Sequence, residues 1–309
     1  MLNFKKQFLA AVGATLVSPV FAGQVISTAG GVSLGIQNLG ALGYYGVGLN
    51  LDGVGDAIMP GCLCEGWGAS FNGTAGWSAN ANGADFNVAL VSFTSTASSA
   101  ESVVNVGSGL QVTQSYGLSA STALIKNHVT LTNLSGANAA LRYSRSMDWD
   151  IAPTAFNEYV TIGGVGASHL LFSNDNGFAT PDPLNNPASV VAGTNNVNVI
   201  DSGPDDHGAY FTFDFGTVGA GQSVSFDIFY GAAGSESAAM SALSTVGAEV
   251  YSLGQNSRTA KTDGTPGTFI FGFAGVGGTP VPAVPEPETY AMVLAGLGMI
   301  GVLTRRRRA

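Results

Sequence analysis

The feature that most constrains the fold is an alternation of apolar and polar side chains along residues 141–151. Apolar side chains occupy the odd positions, with one charged exception, and polar side chains occupy the even positions. The odd positions are Leu141, Tyr143, Arg145, Met147, Trp149 and Ile151. A period of two is typical of a β-strand with one buried face, so the segment predicts a half-buried strand interrupted by Arg145.

The same alternation recurs elsewhere in the chain. It is found at residues 123–131, 211–215 and 224–230, and further strand candidates lie at 89–93, 103–112 and 268–273. Turn-forming residues at 133–138 follow the first of these strands, and a glycine-containing link at 216–222 follows the second. This pattern predicts two β-hairpins.

One segment has helical spacing instead. Residues 235–253 carry apolar side chains three or four positions apart, and Gly254 follows as a natural C-terminal cap. The 45% hydrophobic content and 17 phenylalanines supply material for a core despite 44 glycines. We therefore predict an all-β fold, an antiparallel β-sandwich with one covering helix. It spans residues 23–273, as one large sandwich or two small ones.

The N-terminus predicts export. Lys5 and Lys6 form a positive start, and residues 8–17 form a short apolar segment. Small residues then lead to a cleavage site between Ala22 and Gly23. This order is typical of a signal peptide, so residues 1–22 are expected to form a signal helix that signal peptidase removes.

The C-terminus combines three features. A short acidic motif, Pro285, Glu286 and Pro287, precedes an uncharged stretch at 290–303, and the arginine cluster comes last. The cluster consists of Arg305, Arg306, Arg307 and Arg308. A helix over the uncharged stretch would span roughly 20–24 Å, somewhat less than the ~30 Å hydrocarbon core. It can still insert as a transmembrane helix with the arginines on the cytoplasmic side.

These three parts, in this order, resemble the C-terminal signal of PEP-CTERM proteins. The resemblance assigns residues 285–309 to the sorting signal, after a predicted Gly/Pro-rich linker at 274–284. It implies an exported protein of a Gram-negative bacterium that an exosortase processes in the inner membrane. It also implies a final location at the cell surface or in the exopolysaccharide matrix. It implies nothing about the activity of the domain in front.

The charge of the exported part excludes one class of partner. Between the two signals only five basic residues remain against eighteen acidic ones, a net charge of about −13. Nucleic-acid binding needs clustered Lys and Arg, so no nucleic-acid partner is expected. An acidic surface poor in lysine suits solubility outside the cell and the binding of divalent cations.

Cys62 and Cys64 are the two cysteines of the chain. Because an exported protein meets an oxidising compartment, we expect either a disulfide between them or a pair of inert loop thiols. The alternative is a redox or metal-binding role. A metal site would need two further soft ligands nearby, and the local sequence offers none.

Asp148 and Asp150 lie two residues apart and therefore on one face of the predicted strand. The expected environment is a solvent-exposed face balanced by Arg142 or Arg145. One alternative is a metal site, in which the two carboxylates bind Ca²⁺ together with a loop carbonyl. The other is acid–base cleavage of a glycoside, with Glu158 nearby. The sequence therefore predicts no cofactor, and Ca²⁺ is the one alternative to that expectation.

Two polar loops, residues 174–177 and 201–208, are rich in Asn, Asp and Gly. Neither follows the EF-hand ligand spacing, and turn chemistry explains both without a bound ion. His207 follows Asp206, but no G-x-S-x-G or H-E-x-x-H motif accompanies it, and the other two histidines are isolated. The sequence therefore predicts no catalytic residues.

Two functional hypotheses follow. The first is a cell-surface or extracellular-matrix protein, sorted by an exosortase, associated with exopolysaccharide and biofilm, and without catalytic activity. The alternative is an exported carbohydrate-binding or glycan-hydrolysing domain, calcium-dependent in one version, that uses Asp148, Asp150 and residues 205–207. The alternative requires these residues to meet Glu158 in one concave cleft with aromatic side chains. The first hypothesis leaves them scattered.

Overall fold

The computed structural model describes residues 23–258 and 263–283. The signal peptide predicted at 1–22 and the sorting signal predicted at 285–309, with its hydrophobic helix, lie outside the described residues. Within the described part, eighteen strands and one helix form. No helix in that part is both long enough and apolar enough to cross a bilayer.

The strands cover about half of the described chain. They are β1 (Gly23–Ser27), β2 (Val32–Gln37), β3 (Leu49–Leu51), β4 (Gly55–Asp56), β5 (Glu65–Phe71), β6 (Thr74–Ala79), β7 (Val88–Thr96), β8 (Ser99–Val106), β9 (Leu110–Leu118), β10 (Leu124–Asn133), β11 (Ala139–Asp148), β12 (Glu158–Gly163), β13 (Leu170–Asn174), β14 (Val199–Asp205), β15 (Gly208–Val218), β16 (Ser223–Ala233), β17 (Val250–Asn256) and β18 (Thr268–Ala274). The helix α1 (Glu236–Thr245) lies between β16 and β17.

The strands form three sheets in which every pairing is antiparallel. The largest has the order β14-β12-β17-β18-β16-β10-β9-β8-β7. A five-stranded sheet has the order β13-β15-β11-β5-β6, and a four-stranded sheet has the order β1-β2-β3-β4. The four-stranded sheet contacts the nine-stranded one where β2 and β3 meet β16.

Aromatic side chains join the two larger sheets. Phe211 of β15 contacts Phe271 and Phe273 of β18, with ring centroids 5.6 and 5.2 Å apart. Tyr143 of β11 contacts Phe226 of β16 at 5.0 Å. Two antiparallel sheets that share such a core form a β-sandwich, so the predicted fold class is confirmed.

The two predicted hairpins are wrong, although their strands exist. Strands β10 and β11 are consecutive but belong to different sheets, and the same is true of β15 and β16. Each connection crosses from one layer of the sandwich to the other. The Asn133 side chain donates hydrogen bonds to the carbonyls of Ala137, Val218 and Gly219, at 2.7, 2.9 and 3.1 Å, and so holds the two crossings side by side. The alternation of apolar and polar residues identifies a half-buried strand, but it does not identify the strand with which that strand pairs.

The predicted helix is about half right. It starts as expected, because Ser235 is the N-cap and accepts from the Ala238 N–H, but α1 stops at Thr245. Residues 246–249 connect the helix to β17, which begins at Val250 and in which Gly254 is an interior strand residue rather than a cap. A Cβ at Gly254 would lie 2.6 Å from the Trp149 ring, so this glycine allows close packing. The helix does cover the sheet, since Leu243 packs in a cluster with Ile270 of β18.

The Gly/Pro-rich segment after β18 lies on the domain as far as Val281. Val276 and Val281 are buried, and the Val281 N–H donates to the Ala248 carbonyl at 2.7 Å. The Glu249 carboxylate accepts from the N–H groups of Val276 and Gly278 at 2.8 and 2.9 Å. The first part of the predicted linker is therefore packed against the sandwich and does not extend away from it.

Candidate functional site

Four carboxylates converge at one end of the sandwich, and we call them the carboxylate cluster: Asp148, Asp150, Glu158 and Asp206. Asp148 is the last residue of β11, and Glu158 is the first residue of β12. Asp206 lies in the two-residue connection between β14 of the nine-stranded sheet and β15 of the five-stranded sheet. The cluster therefore forms where the chain passes between the two layers.

The alternation that predicted strand β11 also places two of these aspartates. Trp149 and Ile151 are fully buried in the core, and the Trp149 indole N–H donates to Ser252 at 3.1 Å. Because neighbouring side chains point to opposite sides, Asp148 and Asp150 both face away from that core. Their positions are fixed by backbone hydrogen bonds from Asp148 N–H to the Cys64 carbonyl and from Asp150 N–H to the Ala57 carbonyl, at 2.9 and 2.7 Å.

The cluster is enclosed and short of hydrogen-bond partners. Carboxylate oxygens of Asp148, Asp150 and Asp206 all lie within 4.8 Å of one another. Asp148 and Asp150 are each 1% exposed and Glu158 is fully buried. Among the residues that the structure describes, none gives a hydrogen bond to one buried oxygen of Asp148, to either oxygen of Asp150 or to one oxygen of Glu158. The other Glu158 oxygen accepts from the Ile151 N–H at 2.9 Å.

The expected solvent-exposed face for Asp148 and Asp150 is wrong, because both are buried. The expected arginine partners are wrong too. Arg142 pairs with Asp214 at 2.9 Å, and Arg145 pairs with Glu65 at 2.6 Å. Sequence reasoning missed Glu65, which lies 80 positions before its partner. Across residues 23–258 and 263–283, no salt bridge reaches the carboxylate cluster.

Burial and mutual repulsion raise the pKa values of the cluster. Burial, reinforced by the charges of Asp150 and Asp206, raises the pKa of Asp148 to about 8. Burial, with the charge of Asp206, raises the pKa of Asp150 to about 7. Burial raises the pKa of Glu158 to about 9. Burial and the neighbouring Asp205 also raise the pKa of Asp206. Without a counter-ion, the cluster therefore retains protons near neutral pH.

A pH dependence follows for the protein freed of divalent cations. A carboxyl group whose folded-state pKa lies above its unfolded value of about 4 binds more protons when folded. Its stabilisation is therefore present at low pH and is lost as the pH rises through the folded-state pKa. We expect the free energy of unfolding to fall by on the order of 1 kcal/mol per pH unit between about pH 5 and about pH 7.

Urea titrations in chelator at several pH values measure this slope. The double variant Asp148→Asn with Asp150→Asn is the control, and its slope is expected to be flatter. A wild-type stability that increases from about pH 5 to about pH 7 would contradict the assignment of raised pKa values.

The cysteines lie next to the cluster. Cys62 and Cys64 form a disulfide in the structure, with Cα atoms 5.1 Å apart. Cys62 Sγ lies 3.7 Å from Oδ2 of Asp148. An oxidised sulfur carries no hydrogen, so this contact gives the carboxylate no donor. The disulfide therefore lines the cluster without neutralising it.

His207 also borders the cluster, and both of its ring nitrogens contact hydrogen-bond acceptors. Its Nδ1 lies 3.0 Å from Oδ2 of Asp175, and its Nε2 lies 3.2 Å from the backbone carbonyl of Glu158. The side chain is fully buried. Asp175 also accepts from the N–H groups of Val190 and Val191, each at 2.9 Å. This pair joins two loops, and both side chains are fully buried.

Neither of the arrangements that would separate the two hypotheses is found as stated. Asp148, Asp150 and Glu158 meet, with Asp206 beside them, so they are not scattered, but Asp148, Asp150 and Glu158 are almost completely buried. A sugar ring needs a cleft that admits it between the two carboxylates. Asp206 alone among the four is partly exposed. The geometry suits a proton or a small ion better than a glycan.

Comparison with known proteins identifies the tail. Residues 283–308 match the PEP-CTERM protein-sorting motif, which confirms the resemblance. The chain therefore carries a PEP-CTERM sorting motif, which implies recognition by an exosortase and export in a Gram-negative bacterium. No curated protein matches the sequence. Among solved structures, the chain is similar to a galactose mutarotase related enzyme from Lactobacillus acidophilus, with 8% identity and a TM-score of 0.30 over 82% of this chain and 86% of that one.

Proposed function

We propose that this PEP-CTERM protein is a non-enzymatic component of the cell surface or the extracellular matrix. Signal peptidase and an exosortase would process its two ends, and the C-terminal helix would hold it in the inner membrane only in between. The β-sandwich would then associate with exopolysaccharide in the biofilm. The net charge of about −13 between the two signals supports a soluble domain in that environment.

The observation that carries this proposal is the burial of the candidate acid–base groups. Asp148 and Asp150 are each 1% exposed, and Glu158 and His207 are fully buried. A general acid must come within about 3 Å of the glycosidic oxygen, and enclosed carboxylates do not reach it. Glycan hydrolysis is therefore the less favoured alternative, although binding to a glycan elsewhere on the surface remains compatible with the proposal.

The processing part of the proposal has a direct test. We expect the mature protein in its host to begin at Gly23, to lack about 20 residues at the C-terminus, and to be in the surface or matrix fraction. Intact-mass measurement after cell fractionation checks both ends. Disruption of the host's exosortase is expected to leave the tail attached and the protein in the inner membrane. A full-length chain in the cytosol would overturn the proposal.

The non-enzymatic part has a separate test. The purified mature protein is incubated with exopolysaccharide from its host, and both co-sedimentation and new reducing ends are measured. We expect co-sedimentation without release of reducing ends. Release that disappears in Asp150→Asn but persists in the surface variant Glu101→Gln would establish the hydrolase alternative.

A further inference from the structure

We infer that Asp148, Asp150 and Asp206, assisted by Glu158, bind a single Ca²⁺ ion that links the two sheets of the sandwich. The inference stands apart from the proposed matrix role, because ion binding can be measured without any polysaccharide. It rests on the spacing of the ligands, on their missing partners and on the chemistry of the donor set.

The spacing of the oxygens fits one ion. Ca²⁺ binds oxygen ligands at about 2.3–2.6 Å, so two ligands on opposite sides of the ion are about 5 Å apart. Oxygens of Asp148, Asp150 and Asp206 all lie within 4.8 Å of one another. One ion can therefore contact all three carboxylates.

The missing partners point independently to a ligand. Both Asp150 oxygens, one Asp148 oxygen and one Glu158 oxygen are buried, and no donor within residues 23–258 and 263–283 reaches them. Buried carboxylates are normally paired or coordinate a metal, because an isolated buried charge is strongly destabilising. No salt bridge from the described residues neutralises them. A divalent cation would supply the missing positive charge and would satisfy these oxygens together.

The donor set selects a hard cation. The available atoms are carboxylate oxygens, whereas both nitrogens of His207 contact oxygen acceptors and both cysteine sulfurs are oxidised. Zn²⁺ prefers nitrogen and sulfur ligands, so it is disfavoured here. Mg²⁺ usually keeps several waters and uses one or two carboxylates. A site with three carboxylates and a fourth nearby favours Ca²⁺.

The location gives the ion a structural consequence. Asp148 ends a strand of the five-stranded sheet, Glu158 begins a strand of the nine-stranded sheet, and Asp206 lies on the connection between the two. An ion held by these groups would bind the two layers together. Because it would also remove the repulsion among the carboxylates, the folded protein should be more stable with the ion than without it.

The experiment uses the processed protein purified from its host, first freed of metals with chelator. Isothermal titration calorimetry with Ca²⁺ is expected to give one site per chain. Thermal unfolding is expected to shift upward by on the order of 5 °C at saturating Ca²⁺, with a smaller shift at the same concentration of Mg²⁺. An equal or larger shift with Mg²⁺ would overturn the choice of Ca²⁺.

Variants make the test specific. Asp150→Asn should abolish the calorimetric signal and the thermal shift, while its melting temperature in chelator equals or exceeds that of the wild type. Asp206→Asn, at a partly exposed position, should fold normally and bind Ca²⁺ at least tenfold more weakly. Glu101→Gln, which changes a carboxylate outside the cluster, should behave as the wild type. No binding by the wild type, or equal binding by Asp150→Asn and the wild type, would overturn the inference.

Discussion

Replacing Arg145 with alanine is expected to lower the free energy of unfolding by about 3–5 kcal/mol, or to prevent folding altogether. Arg145 and Glu65 are both fully buried, and Arg145 Nη2 lies 2.6 Å from Glu65 Oε1. Arg145 Nη1 also donates to the Gln114 side chain at 2.9 Å, and its guanidinium carbon lies 5.2 Å from the centre of the Tyr230 ring. The substitution would leave the Glu65 carboxylate in the core without its charge partner.

The matched control is Arg142→Ala on the same strand. Arg142 pairs with Asp214 at 2.9 Å, but both side chains are about one-third exposed, at 35% and 32%. A partly exposed ion pair of this kind is worth about 0–1 kcal/mol. Urea unfolding followed by tryptophan fluorescence compares the two variants, since Trp67 stacks on Tyr143 beside the buried pair. Equal losses in the two variants would contradict the importance assigned to the buried pair.

The second large effect is expected at Asp175, where alanine should lower the free energy of unfolding by about 3 kcal/mol. Asp175 receives four hydrogen bonds, two from backbone N–H groups and two from side chains. The side-chain partners are Thr194 at 2.7 Å and His207 at 3.0 Å. Removing the acceptor leaves several buried donors unsatisfied, including the ring of His207. Asp182→Ala is the control, because the Asp182 carboxylate accepts from Leu184 N–H on a partly exposed loop.

Asp175 should also respond to pH in the opposite direction from the carboxylate cluster. Burial tends to raise its pKa, but hydrogen bonds from His207, Thr194 and Val191 outweigh burial and lower it below the usual value. A lowered folded-state pKa gives stability that is present above the unfolded pKa and is lost as the pH falls through the folded one. Asp175→Ala should therefore weaken the loss of stability in acid. If the free energy of unfolding falls in acid as steeply in that variant as in the wild type, the contribution assigned to Asp175 is contradicted.

The sequence predicted the strands well and their partners poorly. The alternation along residues 141–151 correctly identified a buried face, because the side-chain period is a local property of the chain. The structure shows that the chain crosses to the other layer between β10 and β11, with Asn133 hydrogen-bonded to both crossings, and the side-chain period does not reveal this. The prediction of a helix was wrong for the second half of residues 235–253 for a related reason. The spacing of the apolar residues around Val250 is compatible with both the helical period and the strand period.

The candidate site was predicted in part. The sequence placed Asp148 and Asp150 on one face and raised their association with residues 205–207 as a hypothesis, and the structure brings Asp206 to them. The sequence did not predict that Asp148 and Asp150 are buried. A strand with alternating apolar and polar residues can still have both faces covered when other segments pack on its polar side. The charge of Arg145 marked a break in the pattern. Only the fold shows that the break is a buried ion pair with Glu65.

The most direct measurement of the calcium site is a crystal structure of the processed protein grown with Ca²⁺, with anomalous difference maps to locate the ion. We expect one anomalous peak, within about 2.3–2.6 Å of carboxylate oxygens from Asp148, Asp150 and Asp206. A map without a peak at saturating Ca²⁺, with the three carboxyl groups hydrogen-bonded to one another or to water, would contradict a calcium site at these residues.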